Sequence, residues 1–196
     1  MKRLALALCA TLLTTLAGHA EEPLKDATET AEADMVGGAF ILVDQDGRTV
    51  TDQDFLGSFL LVAFGYTHCP DVCPTTLMTM TSALHLLGAD AKAVRPVFIT
   101  VDPERDTPAQ LKDYVGSFGA EFVGLSGPEA LVANAAQKFH VVATKVPLGH
   151  GEYSIDHTAG IFLMGPDGAF LQRFAHDVAA KDLAEAMRAA RRGHEP

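Results

Sequence analysis

Residues 59–66, Phe59-Leu60-Leu61-Val62-Ala63-Phe64-Gly65-Tyr66, carry no charge and run directly into Thr67-His68-Cys69-Pro70-Asp71-Val72-Cys73-Pro74. A continuous apolar run of this length predicts a central strand covered on both faces. Residues 74–87 follow with a helical pattern that Gly88 ends. Two cysteines therefore stand four positions apart where a buried strand gives way to a helix, a place suited to chemistry. The third cysteine, Cys9, lies far upstream.

The same alternation continues along the chain. Residues 39–44 and 48–51 read as two short strands joined by Gln45-Asp46-Gly47. Residues 94–101 form a second buried strand. Thr107-Pro108-Ala109-Gln110 predicts a helix start, with proline in the first turn and glutamine placed for a capping box, and the helix runs to about residue 118. A strand at 122–125, a helix at 128–139 and an extended segment at 141–146 come next. Residues 159–164 and 169–174 flank Gly165-Pro166-Asp167-Gly168, a hairpin signal. Residues 179–192 end the chain as a helix with a basic last turn. Strands alternating with helices imply a mostly parallel sheet covered on both faces, with antiparallel strands added by the terminal hairpin. There is no internal repeat, and the length suits one domain.

Lys2 and Arg3, the apolar stretch from Leu4 to Leu16, and Gly18-His19-Ala20 predict a signal peptide over residues 1–20. The stretch is shorter than the roughly 20 apolar residues of a spanning helix, so an uncleaved anchor is the less favoured reading. Cys9 follows Leu8 rather than a small residue, which argues against lipidation. Residues 21–38 read as a flexible acidic leader and 39–196 as the folded domain. Export to the periplasm places the remaining thiol pair in an oxidising compartment, where a working dithiol needs a reductant or a metal. The net charge of −10 argues against nucleic acid as a partner.

Cys69 and Cys73 each precede a proline, which disfavours the helical conformation. Cys69 is thus expected in the loop and Cys73 at the cap of a helix opened by Pro74. There, free N–H groups and the helix dipole would favour a thiolate. A structural disulfide would close only a five-residue loop and return little chain entropy. A redox couple and a soft-metal site both remain open on the spacing alone.

Two further motifs accompany the thiol loop: Ile99-Thr100-Val101-Asp102-Pro103-Glu104-Arg105-Asp106-Thr107, and Asp156-His157-Thr158 ahead of the strand that ends in Gly165-Pro166-Asp167-Gly168. Together the three resemble the Sco/SenC family of copper-binding proteins. That resemblance implies an α/β thioredoxin-like fold with a central mixed sheet flanked by helices and an N-terminal β-hairpin. It also implies copper, as Cu(I) or Cu(II), held by Cys69, Cys73 and His157, with His157-Thr158 standing where thioredoxin-like proteins have a proline and threonine facing the thiols.

The family serves assembly of the binuclear copper centre of cytochrome c oxidase, so the implied partner is the oxidase subunit that bears copper, with another copper chaperone or a thiol reductant as further partners. The alternative is a thiol–disulfide oxidoreductase that reduces the recipient's cysteines through Cys69 and Cys73. Two thiolates and an imidazole suit soft Cu(I), and Cu(II) with an added ligand.

Asp71, Asp102 and Asp156 are candidates for orienting the ligands. Asp106 and Thr107 read as a structural helix start. His68 adjoins Cys69, but adjacent side chains of an extended segment point apart. His140, His150 and His176 have no ligand-type neighbour at metal spacing, and Met78 and Met80 cannot share a helix face. A peroxiredoxin-like peroxidase needs a proline and a hydroxyl residue ahead of its cysteine, which Pro70-Asp71-Val72-Cys73 does not provide.

Overall fold

The computed structural model describes residues 36–119 and 121–194. The expected signal peptide, Cys9 and nearly all of the leader lie outside the described residues. The predicted central strand is β3 (Phe59–Gly65), and every one of its residues is buried. Its alternate side chains enter two separate cores. Phe59, Leu61 and Ala63 face one cluster with Leu77, Met80, Phe98, Leu111 and Leu183. Leu60, Val62 and Phe64 face the other with Val97, Ile99, Phe139 and Phe162. A strand with both faces covered has no polar alternation to show, which is why the run is apolar throughout.

β3 pairs in parallel with β4 (Val94–Thr100) from Phe59↔Val94 to Gly65↔Thr100. Their ends coincide, so the thiol loop and the Asp102–Asp106 loop leave the sheet side by side. The remaining strands are β1 (Ile41–Asp44), β2 (Thr49–Thr51), β5 (Val123–Ser126), β8 (Ile161–Met164) and β9 (Phe170–Phe174), in the order β2-β1-β5-β4-β3-β8-β9. β5 is parallel to β4, while β1 and β8 pair antiparallel to β5 and β3. The sheet is therefore mixed. Helices α1 (Val72–Leu87), α2 (Pro108–Gly116) and α4 (Ala180–Gly193) cover one face, and α3 (Glu129–Lys138) the other. The capping box expected at α2 is formed, Thr107 and Gln110 satisfying each other's backbone N–H groups.

Two features depart from the sequence reading. α1 starts at Val72, so Cys73 lies inside the first turn and not at its cap. Proline is tolerated in a first turn because its missing N–H has no partner there, and this outweighs the bias on the residue before Pro74. Second, of the segment 141–146, residues 143–146 belong to a separate hairpin, β6 (Ala143–Gly149) with β7 (Glu152–His157). It turns through Gly149, His150 and Gly151, all at positive φ. β6 is exposed along nearly its whole length, so no buried-face period marks it in the sequence.

Candidate metal centre

Gly65 ends β3 where a Cβ would lie 2.7 Å from Cys73 Sγ and 2.8 Å from Phe98. The absent side chain leaves room for the Cys73 thiol, which is 3% exposed. Cys69 lies in the loop, partly exposed, and both thiols are free. The Cys73 N–H points at Cys69 Sγ, 3.4 Å away. His157 closes β7, and its Nε2 is 3.6 Å from Cys73 Sγ. The loop and the far hairpin thus bring Cys73 and His157 together across 84 residues of sequence, with Cys69 beside Cys73.

The protonation states follow from the surroundings. His157 Nδ1 is 3.2 Å from the Thr158 carbonyl, which can only accept, so Nδ1 carries the proton and Nε2 presents a lone pair to the thiol. Burial lowers the His157 pKa, opposed by the Thr158 hydrogen bond and the charge of Asp156. The imidazole is neutral at pH 7. Burial, followed by the hydrogen bond with Cys69, raises the Cys73 pKa above the ordinary thiol range. This reverses the thiolate expected from the helix end: Cys73 turns into the core, and desolvation of a buried anion outweighs the dipole. The metal-free site thus sets a buried thiol, held in its neutral form, beside a neutral imidazole.

Such a pair is a proton-blocked ligand set. At zinc-like distances of about 2.3 Å to sulfur and 2.0 Å to nitrogen, two ligands of one ion at tetrahedral to trigonal angles are roughly 3.5–3.8 Å apart. The Cys73–His157 separation fits that range. Among the described residues no three His, Cys, Asp or Glu side chains are gathered closely enough to hold a metal ion together. Cys73 and His157 stand at ligand spacing, and the Cys69 sulfur lies beside them, engaged with the Cys73 N–H.

Asp102, one of the candidates for orienting the ligands, fixes the hairpin that carries His157, together with Arg105 and Tyr66, which the sequence did not single out. Fully buried Asp102 accepts from Arg105 Nε at 2.5 Å and from the Tyr153 hydroxyl at 2.8 Å. Arg105 Nη1 donates to the Tyr153 carbonyl at 3.0 Å, and its guanidinium lies 3.7 Å from the Tyr153 ring centroid. Tyr66, just past β3, accepts the Ile155 N–H and meets the His157 ring edge to face. Thr158 ties both its N–H and its hydroxyl to Val142. Asp102 therefore clamps β7 against the loop after β4. Asp71 and Asp156 are exposed, and neither makes a side-chain hydrogen bond. Met80 is core and Met78 exposed.

Tyr153→Phe removes one of the two partners of a buried carboxylate. It should cost about 1–3 kcal/mol. Hydrogen exchange should speed up in β6 and β7 while β3 and β4 keep their protection. Equal loosening of all four strands would contradict a clamp local to the hairpin.

Asp106, read as part of a helix start, anchors the thiol loop. It is fully buried and accepts from the Thr67 N–H at 2.9 Å, the Thr67 hydroxyl at 2.6 Å and the Thr100 hydroxyl at 2.6 Å. A groove of about 580 Å³ lies between the hairpin and α3, lined by Val132, Ala136, Lys145 and Ile155. It includes neither thiol nor His157.

A sequence model of the SCO1/SenC family matches residues 28–192. The chain is 36% identical over 174 residues to a SCO2-like protein of Rickettsia conorii, covering 86% of this chain and 83% of that protein. It is 41% identical over 154 residues to the mitochondrial SCO2 homolog of Danio rerio, covering 77% of this chain but only 55% of that longer relative. Among solved structures, ScoI of Bradyrhizobium japonicum with copper bound superposes with a TM-score of 0.74 at 45% identity, over 79% of this chain and 99% of the other. BsSco, described as a member of the Sco family of cytochrome c oxidase assembly proteins and as holding a disulfide switch, superposes with a TM-score of 0.65 at 26% identity, over 80% and 93%. The architecture expected from the sequence, a thioredoxin-like mixed sheet flanked by helices, is the one these structures share.

Proposed function

The chain belongs to the SCO1/SenC family, and from that premise we propose that it carries copper on Cys69, Cys73 and His157 and delivers it to the binuclear copper centre of cytochrome c oxidase. The observation that supports this most is the bare Nε2 of His157, held 3.6 Å from Cys73 Sγ by a bond at the other ring nitrogen. Thiol exchange alone needs no imidazole there. Two sulfurs and one nitrogen are soft enough for Cu(I) and adaptable to Cu(II). Copper here is cargo: the ion arrives, displaces protons and leaves for an acceptor with similar ligands. The protein's part is to keep the donors together, exclude water behind Cys73 and pin the hairpin through Asp102, Arg105 and Tyr153.

The proposed acceptor is the copper-bearing oxidase subunit. The proposed suppliers are a second copper chaperone, and a thiol reductant that keeps Cys69 and Cys73 reduced. Residues 1–20 would direct the chain to the periplasm, where that acceptor exposes its copper site. A second reading, a dithiol reductant of the acceptor's cysteines, is favoured by the partly exposed Cys69 with the Cys73 N–H directed at its sulfur.

Complementation separates the two. Deleting the gene should lower oxidase activity, with partial rescue by added copper. The His157→Ala protein should fail to restore it. Full restoration by His157→Ala, with failure of the cysteine variants, would replace delivery by thiol reduction.

A further inference from the structure

The hairpin of β6 and β7 has two edges, and only one of them is satisfied. The Thr158 N–H donates to the Val142 carbonyl at 2.9 Å, so Val142 and Thr158 form a hydrogen-bonded pair. Opposite residues of an antiparallel ladder alternate between bonded and non-bonded pairs. Thr144 with Asp156 and Val146 with Ser154 therefore hold the hairpin together. Ala143, Lys145 and Pro147 turn their backbone groups outward from β6, and His157, Ile155 and Tyr153 turn theirs outward from β7. The β7 edge is occupied: the Ile155 N–H donates to the Tyr66 hydroxyl, and the Tyr153 carbonyl accepts from Arg105. Among the described residues, no protein group bonds the backbone N–H or C=O of Ala143 or Lys145. Pro147 has no N–H to offer.

The outer face of the hairpin is open as well. Val142, Thr144 and Val146 alternate with the outward-bonding residues, so their side chains share one face, joined across the ladder by Thr158, Asp156 and Ser154. The spacing is that of a strand with a covered side, yet Val142 is 68% exposed and neither valine belongs to either core. Leu148, at the bulge that follows, is 66% exposed. The acidic residues beside this apolar row are uncompensated. Asp156 and Glu152 are exposed, and neither is ion-paired among the described residues. An uncovered edge beside an uncovered apolar face is what an extended peptide needs in order to add as a further strand.

We propose that an extended segment of the copper-bearing oxidase subunit docks here as a third strand on β6, with apolar side chains over Val142 and Val146 and a lysine or arginine beside Asp156 and Glu152. This rests on the delivery reading above, which names the acceptor. Charge complementarity selects a basic segment. A second copy of this chain would bring the same acidic residues and a net charge of −10 against its own kind. An anionic lipid surface would be repelled as well. Position also selects the acceptor. Ala143 lies directly across the ladder from His157. A strand added to β6 therefore runs two inter-strand spacings, about 10 Å, from the backbone that carries the proposed copper ligand. The edge groups of Ala143 and Lys145 supply affinity, and the side chains on the open face set the choice of partner.

The test titrates the metal-free copper-bearing oxidase subunit, in detergent, with metal-free reduced protein. Val146→Lys and Glu152→Lys should each raise the Kd by about tenfold or more, while Val146→Ile keeps the wild-type value. Cu(I) affinity should be the same in all three variants as in wild type. In the complex, hydrogen exchange of the Ala143 and Lys145 amides should slow. Wild-type affinity in both lysine variants, or unprotected Ala143 and Lys145 amides in the complex, would overturn the proposal. So would a wild-type dimer that Val146→Lys disperses, which makes the face a self-interface, or binding to phosphatidylcholine–phosphatidylglycerol vesicles that Val146→Lys abolishes. Docking is read without copper, so the two failures are distinguishable. A chain that binds the subunit but no Cu(I) would sink the copper reading, and one that binds Cu(I) but not the subunit would sink this one.

Discussion

Cys69→Ser and Cys73→Ser should each weaken Cu(I) binding by about a thousandfold or more, roughly 4 kcal/mol, because a hydroxyl is a poor ligand for a soft ion. The loss should come with a change in pH dependence. Burial keeps Cys73 protonated in the metal-free protein, so copper must displace that proton. Wild-type affinity should therefore rise with pH by about tenfold per unit for each proton released. Cys73→Ser should lose the part of this slope that belongs to Cys73. Competition titration against a Cu(I) chelator across the neutral range reads both effects. A serine variant that binds within tenfold of wild type would remove that cysteine from the ligand set.

Asp106→Ala should produce the largest loss of stability of any single change around the site. The carboxylate is fully buried and accepts the Thr67 N–H and the hydroxyls of Thr67 and Thr100. Truncation strands the buried Thr100 hydroxyl, leaves the part-buried Thr67 groups without their acceptor and opens a void beneath the thiol loop. The expected cost is about 3–5 kcal/mol, from unsatisfied donors at roughly 1–3 kcal/mol each. Denaturant unfolding measures it, and the reduced variant should also expose Cys73 to thiol reagents faster. A cost below about 1 kcal/mol would show that the loop does not hang on Asp106.

The parts of this protein that bury apolar surface were legible in the sequence. The β3 run announced a strand with two covered faces, and Thr107 with Gln110 announced the start of α2. The thiol pair and His157 were found through motifs, and the fold sets the His157 ring beside Cys73. The hairpin bearing His157 was not seen as one. β6 is almost entirely exposed, and polar contacts from Asp102, Arg105 and Tyr66 hold β7 in place. Such contacts leave no period in the sequence. Asp106 looked like a helix start because its neighbours Thr107 and Pro108 are one, while its partner Thr67 is 39 residues away. The state of Cys73 was reversed for a related reason. Helix position can be read from Pro74, but the depth at which a side chain is buried depends on Gly65 and the packing around it.

X-ray absorption of the copper-loaded protein, wild type beside His157→Ala, tests the three-ligand site most directly. Wild type should show two sulfur neighbours and one imidazole nitrogen around a single copper ion. His157→Ala should lose the imidazole signal, with Cu(II) binding weakened severely and Cu(I), still held by two thiolates, weakened less. An unchanged imidazole signal and unchanged Cu(II) affinity in the variant would contradict it and place the nitrogen ligand elsewhere in the chain.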